Sequence, residues 1–383
     1  MALPNANWNY PTAIRFGAGR IAELPQACRE LGIERPLLVT DPGLAAMPMV
    51  RATLEGLGGA ALFSDIHANP VGDDVEAGLA AYRSGDHDGV IAFGGGSALD
   101  AGKVIAFMSG QTRPLWDFED REDWWSRADP VGIAPVIAVP TTAGTGSEVG
   151  RAGVILDEQA GVKKIIFHPK MMPGLVIMDP ELTVGLPPHV TAATGMDALS
   201  HCIEAYCAPG FHPMADGIAA EGVMLVRQWL PRAVEDGHDL EARGHMLVAA
   251  AMGATAFQKG LGGMHALSHP IGALLGTHHG LTNAVLMPYV LAFNRSAIED
   301  RVGRLAGYAG LEPSFEAFLA WILELRARLA IPHSLAGLGV AADRLDRIAR
   351  MAEADPSAGG NPRPFRGAEA RQVLESALEG RVS

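Results

Sequence analysis

The chain has 383 residues, 48% of them hydrophobic, with 46 glycines, 26 prolines and a net charge of −13. That length accommodates two domains with cores of their own, and the composition is that of a compact, loop-rich enzyme rather than a disordered or fibrous chain. With 30 basic against 43 acidic residues and no run of Lys or Arg, the sequence lacks the electrostatic footprint of a nucleic-acid binder, and an anionic membrane surface would repel it.

In the first half, apolar runs of strand length alternate with helical stretches. Strands are expected at 35–40, 59–64, 89–93 and 135–139, with further candidates at 152–157, 163–167 and 174–178. Helices are expected at 44–57, 74–84 and 98–108, and the Trp-, Asp- and Pro-rich stretch 112–130 reads as a long loop. Strand and helix in alternation predict a doubly wound, mostly parallel sheet. After Pro187-Pro188 the strand-like runs stop. Stretches at helical period then cover 191–207, 214–231, 239–258, 262–275, 281–293, 297–309, 314–330, 341–353 and 367–379. The expected architecture is an α/β nucleotide-binding domain over 1–187 followed by an all-α domain over 188–383. Cys28, Cys202 and Cys207 are odd in number and show no CxxC spacing, which points to neither a disulfide framework nor a thiolate zinc site. The N-terminus has no basic, apolar leader, and no run of about eighteen apolar residues occurs. A soluble, cytoplasmic protein is expected.

Two Gly/Ser/Thr loops each follow a buried strand: Gly94-Gly95-Gly96-Ser97, and Pro140-Thr141-Thr142-Ala143-Gly144-Thr145-Gly146-Ser147-Glu148. Backbone N–H groups in such loops, with the positive end of a following helix, can cradle phosphate oxygens, and glycine lets the backbone come close. Either loop alone could be a tight turn. Together, at the carboxyl ends of parallel strands, they point to a nucleotide. Asp41, directly after the first long strand, is placed to accept from a ribose hydroxyl and would repel a 2′-phosphate, which favours NAD over NADP.

The helical half carries Asp197-Ala-Leu-Ser-His201, His265-Ala-Leu-Ser-His269 and Thr277-His278-His279-Gly280. Residues four apart on a helix share a face, so Asp197 with His201, and His265 with His269, can each address one cation. One carboxylate with several imidazoles suits Fe(II), Zn(II) or Mn(II) better than Ca or Mg. The competing reading is a surface ion pair or a set of satisfied core histidines.

These motifs, with Asp100 and Lys103 after the first loop and Asp179-Pro-Glu-Leu182, occur in an order that resembles the iron-containing, or group III, alcohol dehydrogenases over about residues 10–380. The resemblance implies a dehydroquinate synthase-like architecture, with a C-terminal domain that binds metal and substrate. It implies Asp197, His201, His265 and His279 as ligands of Fe(II), with Zn(II) as the other candidate ion. His269 then becomes a proton relay, and His278 competes with His279 for the last ligand position. For NAD it implies Asp41, Asn69, Gly95, Gly96, Ser97, Asp100, Thr141, Thr142, Thr145, Ser147, Leu182 and a lysine, Lys163 or else Lys164. The approach Ala256-Phe257-Gln258-Lys259-Gly260-Leu261-Gly262-Gly263-Met264 is similar to the 4-hydroxybutyrate dehydrogenase branch. That likeness implies a substrate with an anionic tail, met by Phe257 and Lys259.

The expected activity is metal-dependent interconversion of a small alcohol and its aldehyde or ketone, with the substrate oxygen on the metal and hydride passing to nicotinamide. A maleylacetate reductase-like enzyme and a dehydroquinate-synthase-like lyase are the alternatives. The resemblance also implies a homodimer or larger homo-oligomer.

Overall fold

The computed structural model describes residues 6–8 and 11–382. The chain divides into two compact units: residues 1–142 with 146–184, and residues 143–145 with 185–383.

Among the described residues, the first unit is built on nine strands: β1 (Ala6–Trp8), β2 (Ala13–Phe16), β3 (Pro36–Val39), β4 (Ala61–Phe63), β5 (Gly89–Gly94), β6 (Val136–Pro140), β7 (Ala152–Asp157), β8 (Val162–Phe167) and β9 (Leu175–Met178). Five helices accompany them: α1 (Leu24–Glu30), α2 (Pro42–Ala45), α3 (Pro48–Gly56), α4 (Gly72–Ser84) and α5 (Gly96–Met108). Seven strands form one sheet in the order β1-β2-β9-β6-β5-β3-β4, parallel except at the β1–β2 edge. Strands β3, β5, β6 and β9 are buried along their whole length, which is why they read as continuous Val/Ile/Leu/Ala runs. Each fully buried Val, Leu or Ile side chain contributes about 1.5–3 kcal/mol of transfer free energy.

Three expectations change here. The pattern at 44–57 is two helices, because Met47 is extended and Pro48 opens a new helix. Strands β7 and β8 pair with each other as an antiparallel hairpin and do not extend the parallel sheet. Strands β1 and β2 were not anticipated, and β2 enters the sheet beside β9.

The second unit holds α6 (Pro188–Cys207), α7 (Pro213–Glu235), α8 (Leu240–Ala256), α9 (Gly263–Leu275), α10 (His279–Tyr308), α11 (Phe315–Arg328), α12 (Leu345–Ala354) and α13 (Gly367–Glu379). Helix α6 is buried almost all round, so its apolar residues belong to the core. Asp197, His201 and Glu204 are buried on it nonetheless. The stretches at 281–293 and 297–309 are one continuous helix, α10. The polar break between them survives because Asn294 exchanges two amide hydrogen bonds with Asn361 and Arg295 pairs with Glu299. Among the described residues no helix is long and apolar enough to cross a membrane.

Candidate functional site

Asp197 and His201 lie one turn apart on α6, His265 in the first turn of α9, and His279 at the first position of α10. Their potential ligand atoms all lie within 4.8 Å of one another. Helix α10 reaches this place because residue 280 is glycine: a Cβ there would stand 2.3 Å from the Ala193 carbonyl oxygen and 2.9 Å from Asp197 Cβ. His201 stacks on His265 at 4.7 Å between ring centres. His279 Nε2 is 3.5 Å from Asp197 Oδ1. His278 is an exposed N-cap whose Nδ1 accepts from Leu281 N, so it stands outside this group.

Burial alone would push the Asp197 carboxyl up, but the imidazoles of His279, His201 and His265 outweigh it and hold the group well below the usual carboxylate range. Burial drives His201 down to about 4, against the pull of Asp197. Near neutral pH His201 therefore keeps an unprotonated nitrogen, the form that coordinates a metal. One ionised carboxylate and three imidazoles, converging in a largely buried place, form a donor set of the kind that holds Fe(II) or Zn(II). A buried carboxylate of this sort is stable only with compensating charge.

Three further residues complete the surroundings. Glu204 Oε2 accepts from His265 Nδ1 at 2.6 Å. Asn283 Nδ2 donates to Asp197 Oδ1 at 2.9 Å and lies 3.2 Å from Nε2 of both His265 and His279. Asp355 Oδ2 is 2.8 Å from His269 Nδ1. Sequence reading missed all three. Glu204 repeats the spacing of its face, seven after Asp197 and three after His201, and Asn283 is four after His279, so both had a helical signal. Asp355 had none, being 86 positions from its partner.

The remaining expected residues fall in different places. His269 stacks on His279 at 5.4 Å and lies 5.9 Å from His265. Phe257 sits 5.1 Å from the His201 ring. Lys259, expected at the substrate, has its side chain buried and engaged. Its Nζ donates to Asp216 Oδ1 at 2.6 Å and to the Tyr206 carbonyl at 3.1 Å, with 2% of its side chain exposed.

In the first unit, β5 runs into Gly94, whose φ of +149° suits glycine, and a Cβ there would lie 2.7 Å from Ala98 Cβ. Gly95 then caps α5 without a side chain. Thr141 N donates to the Gly94 carbonyl, and Thr142 lies beside Gly95. Ser97 Oγ donates to the Ala68 carbonyl, next to Asn69. Gly95, Gly96, Ser97, Thr141, Thr142 and the segment at Asn69 are thus gathered around the start of α5. Asp41 Oδ1 caps α2 through Leu44 N.

Asp100 and Ser147, expected at the cofactor, are engaged with each other. Ser147 Oγ donates to Asp100 Oδ1, Val154 N donates to Oδ2, and the buried Lys103 Nζ reaches Asp100, the Ser147 carbonyl and the Ala152 carbonyl. These contacts tie α5 to the loop after β6 and to β7. Lys164 is committed to Asp157 at 2.8 Å, while the adjacent Lys163 projects from the opposite face of the hairpin. Leu182 is buried in the apolar core of this unit. Thr145 belongs to the short segment grouped with the helical unit, where Gly144 packs on Thr194.

Residues 11–180 match the profile of the iron-containing alcohol dehydrogenases, and residues 191–378 match the C-terminal profile of the same family. The 4-hydroxybutyrate dehydrogenase of Cupriavidus necator is 40% identical, the match covering 96% of this chain and 99% of that protein. A crystal structure of 1,3-propanediol oxidoreductase superposes with a TM-score of 0.91 at 33% identity, over 99% of this chain and 100% of the other. The sulfoacetaldehyde reductase of Bifidobacterium kashiwanohense, solved in complex with NAD+, superposes with a TM-score of 0.88 at 30% identity, over 98% and 99% of the two chains.

Proposed function

The chain belongs to the iron-containing alcohol dehydrogenase family, and from that premise we propose that it interconverts a small alcohol bearing an anionic tail, of the 4-hydroxybutyrate kind, with its aldehyde, using Fe(II) and NAD(H). The observation that carries the dehydrogenase reading is the convergence of Asp197, His201, His265 and His279 within 4.8 Å. This complete donor set also favours a dehydrogenase over the maleylacetate reductase-like alternative. The anionic tail is supported by the 40% identity to the 4-hydroxybutyrate dehydrogenase rather than by Lys259, whose Nζ is held by Asp216, a carboxylate that also pairs with Arg301.

In this proposal residues 1–187 bind NAD and residues 188–383 hold metal and substrate. Asp197, His201, His265 and His279 hold the ion, which supplies Lewis acidity to the substrate's hydroxyl or carbonyl group. Backbone N–H groups at Gly95 and Gly96, at the start of α5, receive pyrophosphate, with Ser97, Thr141, Thr142 and Asn69 around them. Asp41 takes the ribose. Lys163, or else Lys164, serves the cofactor, as the family pattern implies. Thr145 and Leu182 add contacts, whereas Asp100 and Ser147 act by holding the loop in place. Phe257 borders the substrate through its place beside His201. His269, with Nδ1 engaged by Asp355, has Nε2 left to take the alcohol proton. A cytoplasmic homo-oligomer completes the proposal. Its three cysteines are all buried and unpaired, as a reducing compartment allows.

The test is NADH oxidation by iron-loaded protein on short aldehydes of matched length, with and without a terminal carboxylate, for the wild type and His269→Ala. The expected result is a higher kcat/KM for the carboxylated aldehydes and a fall of about 10²-fold or more in the variant. Equal rates on both aldehyde classes would remove the anionic tail, and an unchanged variant would remove His269 from proton transfer.

A further inference from the structure

Glu204 is 5% exposed, donates to nothing, and gathers three N–H groups. Its Oε1 accepts from Met264 N at 2.6 Å, and its Oε2 accepts from Gly262 N at 2.9 Å and from His265 Nδ1 at 2.6 Å. Helix α9 opens on Gly262, which has no side chain with which to cap. The cap comes instead from elements far away in sequence: Glu204 on α6, and Asn361, whose Oδ1 accepts from Gly263 N at 3.1 Å. Glycine at 262 and 263 lets these acceptors in, because a Cβ at either position would come within 3.1–3.3 Å of Asn361 Oδ1. A carboxylate aimed at the first turn of a helix also meets the positive end of its dipole.

The same carboxylate fixes the chemistry of His265. An ionised carboxylate only accepts, so the Nδ1 that faces Glu204 must carry the proton. The unprotonated lone pair then lies at Nε2, on the side where Asn283 Nδ2 stands 3.2 Å away and where the other donors gather. A ring stacked against His201 and held through Nδ1 has little freedom to turn.

We propose that Glu204 is a positioning residue for the metal centre, which sets the tautomer and orientation of His265 and so couples metal uptake to the order of the first turn of α9. The inference rests on the metal-site reading above. Helix capping by itself would make Glu204 important for stability only. The coupling adds an effect on metal affinity, since outer carboxylate partners of ligating histidines typically change affinity 10- to 100-fold.

The test compares zinc dissociation constants, by competition with a chromophoric chelator, for the wild type and Glu204→Gln, beside the unfolding midpoints of both metal-free proteins. Zinc affinity is expected to fall about 10- to 100-fold in the variant, and saturating zinc should raise its midpoint less than it raises that of the wild type. A lower metal-free midpoint with zinc affinity within about threefold of wild type would reduce Glu204 to a helix cap and overturn the proposal. A wild type that takes up no zinc and no iron would bring down the metal-site reading, and this inference with it. Should Glu204→Gln fail to fold, ¹⁵N-histidine spectra of zinc-loaded wild type decide the matter. A proton on His265 Nδ1 supports the proposal, and coordination through Nδ1 overturns it.

Discussion

Glu148 is a carboxyl group buried beside Lys103, with an Oε1 atom that has no hydrogen-bond partner among the described residues. Burial pushes it up to about 7 from an ordinary value of 4.5. In the unfolded chain it ionises near 4.5, whereas in the fold it keeps its proton until about 7, so between these values the folded state holds the extra proton. Its contribution to stability is fully present below 4.5 and declines as pH rises to about 7. Glu148→Gln should therefore gain stability relative to the wild type across that window, on the order of 3 kcal/mol by pH 8. Denaturant unfolding of both proteins from pH 4.5 to 8 checks it, and parallel curves would contradict it. At this scale the sequence was most informative where chemistry is short-range. The i, i+4 spacings announced Asp197 with His201, while the partner of His269 stayed hidden because Asp355 reaches it only through the folding of α9 against the turn after α12. The partners of Lys259 were hidden for the same reason. Gln258 and Gly260 flank it in sequence, and the carboxylate that claims it lies 43 positions away.

Among the elements, α6 and α10 decide whether the four donors meet. Their approach depends on Gly280, and the sequence offered that residue only as the marker after a histidine. Gly280→Ala forces a methyl group to within 2.3 Å of the Ala193 carbonyl oxygen, so the helices must part or shift. Overpacking of this kind costs about 1–3 kcal/mol, and the displacement separates His279 from Asp197. Calorimetry and zinc titration should show a lower unfolding midpoint together with weaker zinc binding. A loss of stability with unchanged zinc affinity would mean that α10 can move without moving His279. Parallel strands were legible because burial on both faces leaves an unbroken apolar run. The strands β7 and β8 were legible as strands but not as a hairpin, since pairing partners are not written in composition. Helix α10 was read as two because Asn294 and Arg295 interrupt its apolar pattern, and the Asn294–Asn361 amide pair and the Arg295–Glu299 ion pair explain why the interruption is tolerated.

Across the whole molecule, the order of motifs carried more information than any one of them. Two glycine-rich loops alone indicate a nucleotide, and a histidine cluster alone leaves a core of satisfied imidazoles as an equal reading. Found in sequence in one chain of 383 residues, they match both halves of one enzyme family. The side chains of Asp197, His201, His265 and His279 then lie together, with Glu204, Asn283 and Asp355 arranged behind them and behind His269. The central claim is that this group holds a divalent ion on which the reaction depends. The most direct measurement is metal content and NADH-linked aldehyde reduction for anaerobically purified wild type, for chelator-stripped protein before and after addition of Fe(II), and for Asp197→Ala. The account predicts about one ion per chain in the wild type, activity lost on stripping and restored by Fe(II), and neither metal nor activity in Asp197→Ala. Undiminished turnover by the stripped protein would contradict it.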